Sequence, residues 1–233
     1  MSDIFREVEE DLRHERLRRL WDRLGPYIIA IAILIVLVTG GYRGWQTWTK
    51  SQAEQAGDAY MQALQSADAG RTEEAEAKLQ EIAKGGASGY AALARLRSAG
   101  LKEEAGDTEG ALAAFDALAA DKGVSEALRD VASLRAGYLI ADGGSRADIE
   151  KRVSGLTGDE NPWRHSAREL MALAAFGADD FAAARKWYET IVSDPATPSQ
   201  IVARARMMLE VITSRIGPVE DAPAADAKKD EGQ

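Results

Sequence analysis

Between Arg23 and Arg43 the chain runs for 19 residues without a charged side chain, and residues 28–38 are all Ile, Leu, Val or Ala. At ~1.5 Å per residue, a helix of that length approaches the ~30 Å hydrocarbon thickness of a bilayer. Trp21 and Tyr27 flank one end; Tyr42, Trp45 and Trp48 flank the other. Such aromatic belts mark the two interfaces of a spanning helix. A soluble fold of this size rarely covers so apolar a run on every face. The run therefore predicts a transmembrane helix over 24–45. More than twenty residues precede it, rich in acids, unlike the short basic start of a cleaved signal. Val38-Thr39-Gly40 is a poor cleavage site, so an uncleaved signal anchor is predicted. Arg6, Arg13, Arg16, Arg18, Arg19 and Arg23 lie before the run, and only Arg43 and Lys50 lie just after it. That asymmetry predicts a cytoplasmic N-terminus and a translocated C-terminal part, in a bacterial periplasm. Gly40 and Gly44 form a small-xxx-small pair, read as loosened backbone at the helix end.

Residues 1–23 form the predicted cytoplasmic tail. Phe5, Val8, Leu12, Leu17, Leu20 and Trp21 make an interrupted apolar stripe, with Glu9–Arg13 and Glu15–Arg19 as favourable i,i+4 pairs. Seven acids against six arginines weaken a purely electrostatic anchor. The reading is an amphipathic helix on the inner leaflet, with a docking segment for a cytoplasmic partner as the alternative.

The remainder is rich in alanine and repeats itself. Gly70, Gly106, Gly144 and Asp179 are each followed by apolar residues at +5, +9 and +12, at spacings of 36, 38 and 35 residues. Seven residues before each turn stand Ala63, Ala99, Gly137 and Ala172, all small enough for close helix approach. The third unit departs at Ile149, where the others have Ala75, Ala111 and Ala184. This resembles a tetratricopeptide array of helix–turn–helix units. An all-α fold is predicted: about four helix pairs plus a capping helix, over 50–216. Asn161-Pro162-Trp163 and Thr197-Pro198-Ser199-Gln200 read as helix starts, the second with a capping box. The helix after Pro198 is expected to cover the open end of the array. Residues 217–233 contain one Val and no aromatic, and read as a disordered tail.

The inner face of each first helix falls at −13, −10, −6 and −3 from its turn. That stripe includes Gly57, Gly100, Glu103, Ala141, Ser166 and Glu169. Its large side chains are Tyr60, Leu64, Leu93, Leu96, Val131, Leu134, Tyr138, Leu173 and Phe176, the candidate partner groove. It contains no Lys or Arg, so a groove for unfolded or extended segments is favoured over one for a carboxylate-ended peptide. The competing reading is that helix packing, the capping helix or a second copy covers the stripe.

Chemistry is sparse. There is no cysteine, and the two histidines are His14 and His165. No metalloprotease, phosphate-loop, dinucleotide or nucleophile-elbow motif is present. His165, beside Arg164 and Arg168, reads as a surface or groove residue. Asp179-Asp180 reads as capping, and Glu73-Glu74 and Glu103-Glu104 as solvated faces. A net charge of −9 argues against nucleic acid. The chain is predicted to be non-catalytic, with no cofactor and no metal.

The opening Met1-Ser2-Asp3-Ile4-Phe5-Arg6-Glu7, the Trp21-Asp22-Arg23 before the run, and Asn161-Pro162-Trp163-Arg164-His165-Ser166-Ala167-Arg168-Glu169-Leu170 resemble the YfgM-like family of ancillary subunits of the bacterial Sec translocon. The resemblance covers nearly the whole chain apart from its C-terminal tail. It implies a single-pass inner-membrane protein that contacts translocon subunits, a membrane-anchored periplasmic chaperone and unfolded exported proteins. A scaffold for envelope or division assembly, a regulator contact through residues 1–23, and a homo-oligomer stay open beside it.

Overall fold

The computed structural model describes residues 3–85 and 88–217, with side chains at Tyr27, at Ile31 and from 33 onward apart from Ser88. It divides between Asp58 and Ala59 into two compact units. The expected tail beyond Gly217, the side chains of the amphipathic stripe in 1–23, and those of 24–26, 28–30 and Ala32 in the expected span lie outside the described residues.

One helix, α1 (Asp3–Asp68), makes up the first unit and ends in the second. It continues unbroken through Gly40, Gly41 and Gly44, so the expected loosening there does not interrupt it. Residues 33–38 point outward on all sides, from 56% exposure at Ile33 to 69% at Val36, and Tyr27, Ile31, Tyr42, Trp45 and Trp48 are exposed as well. Among the described residues, no helix is long and apolar enough to cross a membrane.

The second unit is built of helix pairs. Residues 59–68 of α1 pair with α2 (Thr72–Lys84), and α3 (Ser88–Glu104) pairs with α4 (Thr108–Ala120). Next, α5 (Glu126–Leu139) pairs with α6 (Arg146–Val153) and its 3-10 extension Ser154–Leu156. Finally α7 (Arg164–Gly177) pairs with α8 (Phe181–Ser193), and α9 (Ser199–Ile216) lies on α8 and α7. Positions +5, +9 and +12 fall on one face of a helix. All twelve of those residues are buried, none above 9% exposure, and so are the four small residues seven before the turns.

The third pair is tightly packed at its small residue. A Cβ on Gly137 would stand 3.0 Å from both Leu170 Cδ1 and Val153 Cγ1. Here α5 gives up its Cβ to side chains of α6 and α7.

The turns follow the same division. Gly70, Gly106 and Asp179 have φ of 74°, 80° and 57°, the left-handed conformation that ends a helix tightly. Asp107 and Asp180 then cap the second helices by accepting from Gly110 N and Ala183 N. The Gly143-Gly144 turn lacks an acid, and Ser145 caps α6 instead. Two expected starts are corrected. Asn161 Oδ1 accepts from Trp163 N at 2.8 Å in a turn, and α7 begins only at Arg164. Thr197 forms no capping box, because its hydroxyl donates to Ile191 O at 2.8 Å and leaves α9 with no side-chain cap.

Four apolar cores follow along the unit, each shared by three successive helices. Helices α3 and α5, α5 and α7, and α7 and α9 also touch, which lines the first helices of the pairs along one wall. Ion pairs about one repeat apart stitch neighbouring units together: Arg152 with Asp116, Arg146 with Asp180, and Arg204 with Glu169.

Candidate partner groove

The structure brings together the first half of the predicted stripe. Tyr60, Leu93, Leu96, Gly100 and Val131 line one cavity of about 210 Å³, joined by Arg97 and Arg135. Tyr60 also stacks obliquely on Tyr90, with ring centroids 6.1 Å apart. Leu64, half-buried, lies beside this cavity's helices without lining it. Leu173 and Ala141 line a second cavity of about 390 Å³ under the Gly143-Gly144 turn.

Of the remaining large stripe residues, all but Tyr138 are spent on packing. Leu134 is buried in the third core. Phe176 packs against Phe181 with centroids 5.4 Å apart, and the Arg215 guanidinium of α9 stands over both rings. Glu169 is buried and accepts a two-pronged contact from Arg204 at 2.6 and 2.8 Å. Tyr138 stays exposed beside Ser166 and Glu169; partial burial of its ring raises its hydroxyl pKa. The capping helix thus covers the α7 end of the stripe, and the α1–α3–α5 end remains open.

The absence of positive charge expected from the stripe is corrected here. Arg97 and Arg135 both stand nine residues before their turns, one repeat apart at 38 residues. The lining of the cavity is wider than the four positions read from spacing. Arg97 donates to Glu104 at 2.7 Å and Arg135 to Glu103 at 2.7 Å, so these glutamates are ion-paired rather than merely solvated. Arg135 also stands over the Phe115 ring, 5.7 Å from its centroid. Burial raises the Tyr60 hydroxyl, opposed by the nearby positive charge of Arg97.

Gly100 lies between these arginines. A Cβ built on it would meet Arg135 Nη2 at 3.7 Å and Arg97 Nη1 at 3.8 Å, ordinary contact distances. Mid-helix glycine costs ~0.5–1 kcal/mol relative to alanine. Gly100→Ala is therefore expected to raise the melting temperature by a few degrees, read by thermal denaturation, while narrowing the cavity.

His165 is not at the surface or in the groove; it is buried at the start of α7, under the connection between α8 and α9. Thr197 Oγ1 lies 3.0 Å from His165 Nδ1, and the Thr197 proton is already given to Ile191 O. The imidazole is thereby assigned as the donor through Nδ1. Asp194 accepts from Arg164 at 3.1 Å and Arg168 at 3.4 Å, and Arg168 also holds Thr157 O and Asp159. Burial, and then Arg164 beside it, push the His165 pKa below its ordinary value. The unfolded chain then binds this proton more readily than the folded one. Stability is full above ~6.5 and falls as pH drops below it. The melting temperature should fall between pH 7 and pH 5, and His165→Gln should flatten that slope.

Among the described residues, no group of three His, Asp or Glu side chains is placed to hold a metal ion. A family model described as a tetratricopeptide repeat-like domain matches residues 18–189. No curated protein and no solved structure matches the chain significantly.

Proposed function

The chain belongs to the tetratricopeptide repeat-like domain family, and from that premise we propose that it is a non-catalytic, membrane-anchored module that holds extended segments of partner proteins in its groove. A repeat domain of this kind is a protein–protein interaction module. The observation that carries the finer reading is the open cavity between α1, α3 and α5, lined by five residues of the stripe. It presents apolar side chains that, among the described residues, no helix of the array covers.

The anchor rests on the uncharged run. A helix apolar on all faces needs a core or a lipid phase around it. Residues 33–38 are exposed on every side, so lipid is the environment that suits them. The family match begins at Arg18, before the run, so run and repeats fall within one family unit. The arginine asymmetry supports a cytoplasmic N-terminus and periplasmic repeats. With the resemblance carried by residues 1–7, 21–23 and 161–170, this makes the protein an inner-membrane companion of the Sec translocon. It would receive exported chains there alongside a membrane-anchored chaperone.

Affinity capture of the full-length protein from membranes in mild detergent tests this reading. Translocon subunits should be recovered. Their absence, with a single envelope protein captured instead, would replace the translocon role by that of a scaffold.

A further inference from the structure

We propose that the outward face of α9 is a self-complementary surface on which a second copy of this chain docks, its α9 running antiparallel to the first across a two-fold axis. None of the residues concerned lines either cavity, so the surface is separate from the groove.

The face follows from helical spacing. Ile201, Ala205, Met208, Leu209 and Ile212 pack α9 onto the fourth core. Gln200, Ala203, Met207, Val211 and Ser214 fall on the opposite side, in steps of three and four residues. All five are exposed, Met207 at 63% and Val211 at 37%, and no charge interrupts the stripe. The last helix of a repeat array ordinarily turns a polar face outward. This one centres its outward face on a methionine, a side chain that adapts readily to a partner surface.

The charges beside the stripe indicate what covers it. On one flank, Glu169 holds Arg204, and Arg215 stands over Phe176 and Phe181, so both arginines are engaged within the chain. On the other flank, Arg206 and Glu210 stand one turn apart. Both are exposed, and neither is ion-paired among the described residues. Arginine four residues before glutamate is the less favourable order within a helix. A two-fold axis crossing α9 near residue 208 sets Arg206 of each copy level with Glu210 of the other, because the axis keeps each flank facing itself. The pair forms twice. Met207 of each copy then fits between Met207 and Val211 of the other. A partner surface of one charge would match only one of the two free groups, whereas the same helix reversed matches both. One helix against one helix lies at the low end of the ~1,200–2,000 Å² of stable interfaces, so the association should depend on concentration.

The chain has no cysteine, so single cysteines report the contact cleanly. With helix axes ~8–10 Å apart, position 207 of the two copies comes within the ~4.4–6.8 Å Cα separation that a disulfide spans. In the same arrangement, position 214 of the two copies is ~18 Å apart along the axis. Full-length Met207→Cys in detergent micelles should therefore give a disulfide-linked dimer under mild oxidation. Ser214→Cys should stay monomeric, and so should Ala117→Cys on the exposed side of α4. Sedimentation of the cysteine-free chain reads the charges. Arg206→Glu and Glu210→Arg should each weaken self-association about tenfold, and the swap carrying both should restore it. Melting curves would establish that each variant keeps its fold. A monomer at Met207→Cys would overturn the second copy and leave the face to another protein or a lipid surface. Equal dimer at Ser214→Cys would overturn the antiparallel two-fold. A swap that associates no better than the single variants would overturn the pairing of Arg206 with Glu210 on which the choice of occupant rests.

Discussion

Phe115→Ala is expected to remove ~3–5 kcal/mol of stability, the range for truncating a buried aromatic side chain. The ring is fully buried in the second core, among Ala92, Ala99, Ala111, Leu118, Val124, Ala132 and Ala136. Five of those seven neighbours are alanines, which have no side chain to swing into the void, and the leucines at its edge (Leu96, Leu112, Leu128 and Leu139) are already engaged in packing. Domains have only ~5–15 kcal/mol in total. Stability in a repeat array is a sum of units and nearest-neighbour interfaces. The second core is the interface of α3, α4 and α5, so its loss should uncouple the first pair from the third. Urea denaturation followed by circular dichroism should show a lower midpoint and a broadened or split transition. A loss below ~1 kcal/mol would mean that the core is not packed as described. The same substitution removes the ring under Arg135, so the groove should lose definition as the fold loosens.

A double substitution in the uncharged run, Ile33→Lys with Val36→Arg, should release the protein from the membrane. Each charge near the centre of a spanning helix costs ~2.5–3.5 kcal/mol on insertion scales. Two such charges outweigh the gain from several of the remaining aliphatic residues. Both side chains are exposed, at 56% and 69%, so neither substitution disturbs packing within the protein. Alkaline extraction of membranes should leave the unaltered chain in the pellet and bring the variant into the supernatant. Retention of the variant, or extraction of the unaltered chain, would contradict a spanning anchor.

The array was legible in the sequence because its rule is local. A turn residue, a face at +5, +9 and +12, and a small residue at −7 all lie within one unit, and all sixteen positions are buried. What escaped depends on how units meet. The pairing of Arg152 with Asp116 spans 36 residues and that of Arg146 with Asp180 spans 34, and nothing within one unit announces either. His165 looked exposed from its arginine neighbours, yet the connection between α8 and α9 closes over it. Thr197 looked like a cap, yet its hydroxyl is used beneath that connection. Arg97 and Arg135 carried a readable signal, the same place in adjacent repeats, but a four-position stripe was too narrow to include them. At the other end, Phe176 and Glu169 follow the groove spacing, and α9 decides that they are packing residues.

The central claim is that the wall formed by α1, α3 and α5 is where partner chains are held. Site-specific photocross-linking in intact cells tests it most directly, with a photoreactive residue at Leu96 in the cavity and, as the control, at Ala117 on the exposed side of α4. Adducts with newly exported chains at Leu96, and few at Ala117, are the predicted result. Equal labelling at the two positions, or none at Leu96, would contradict it.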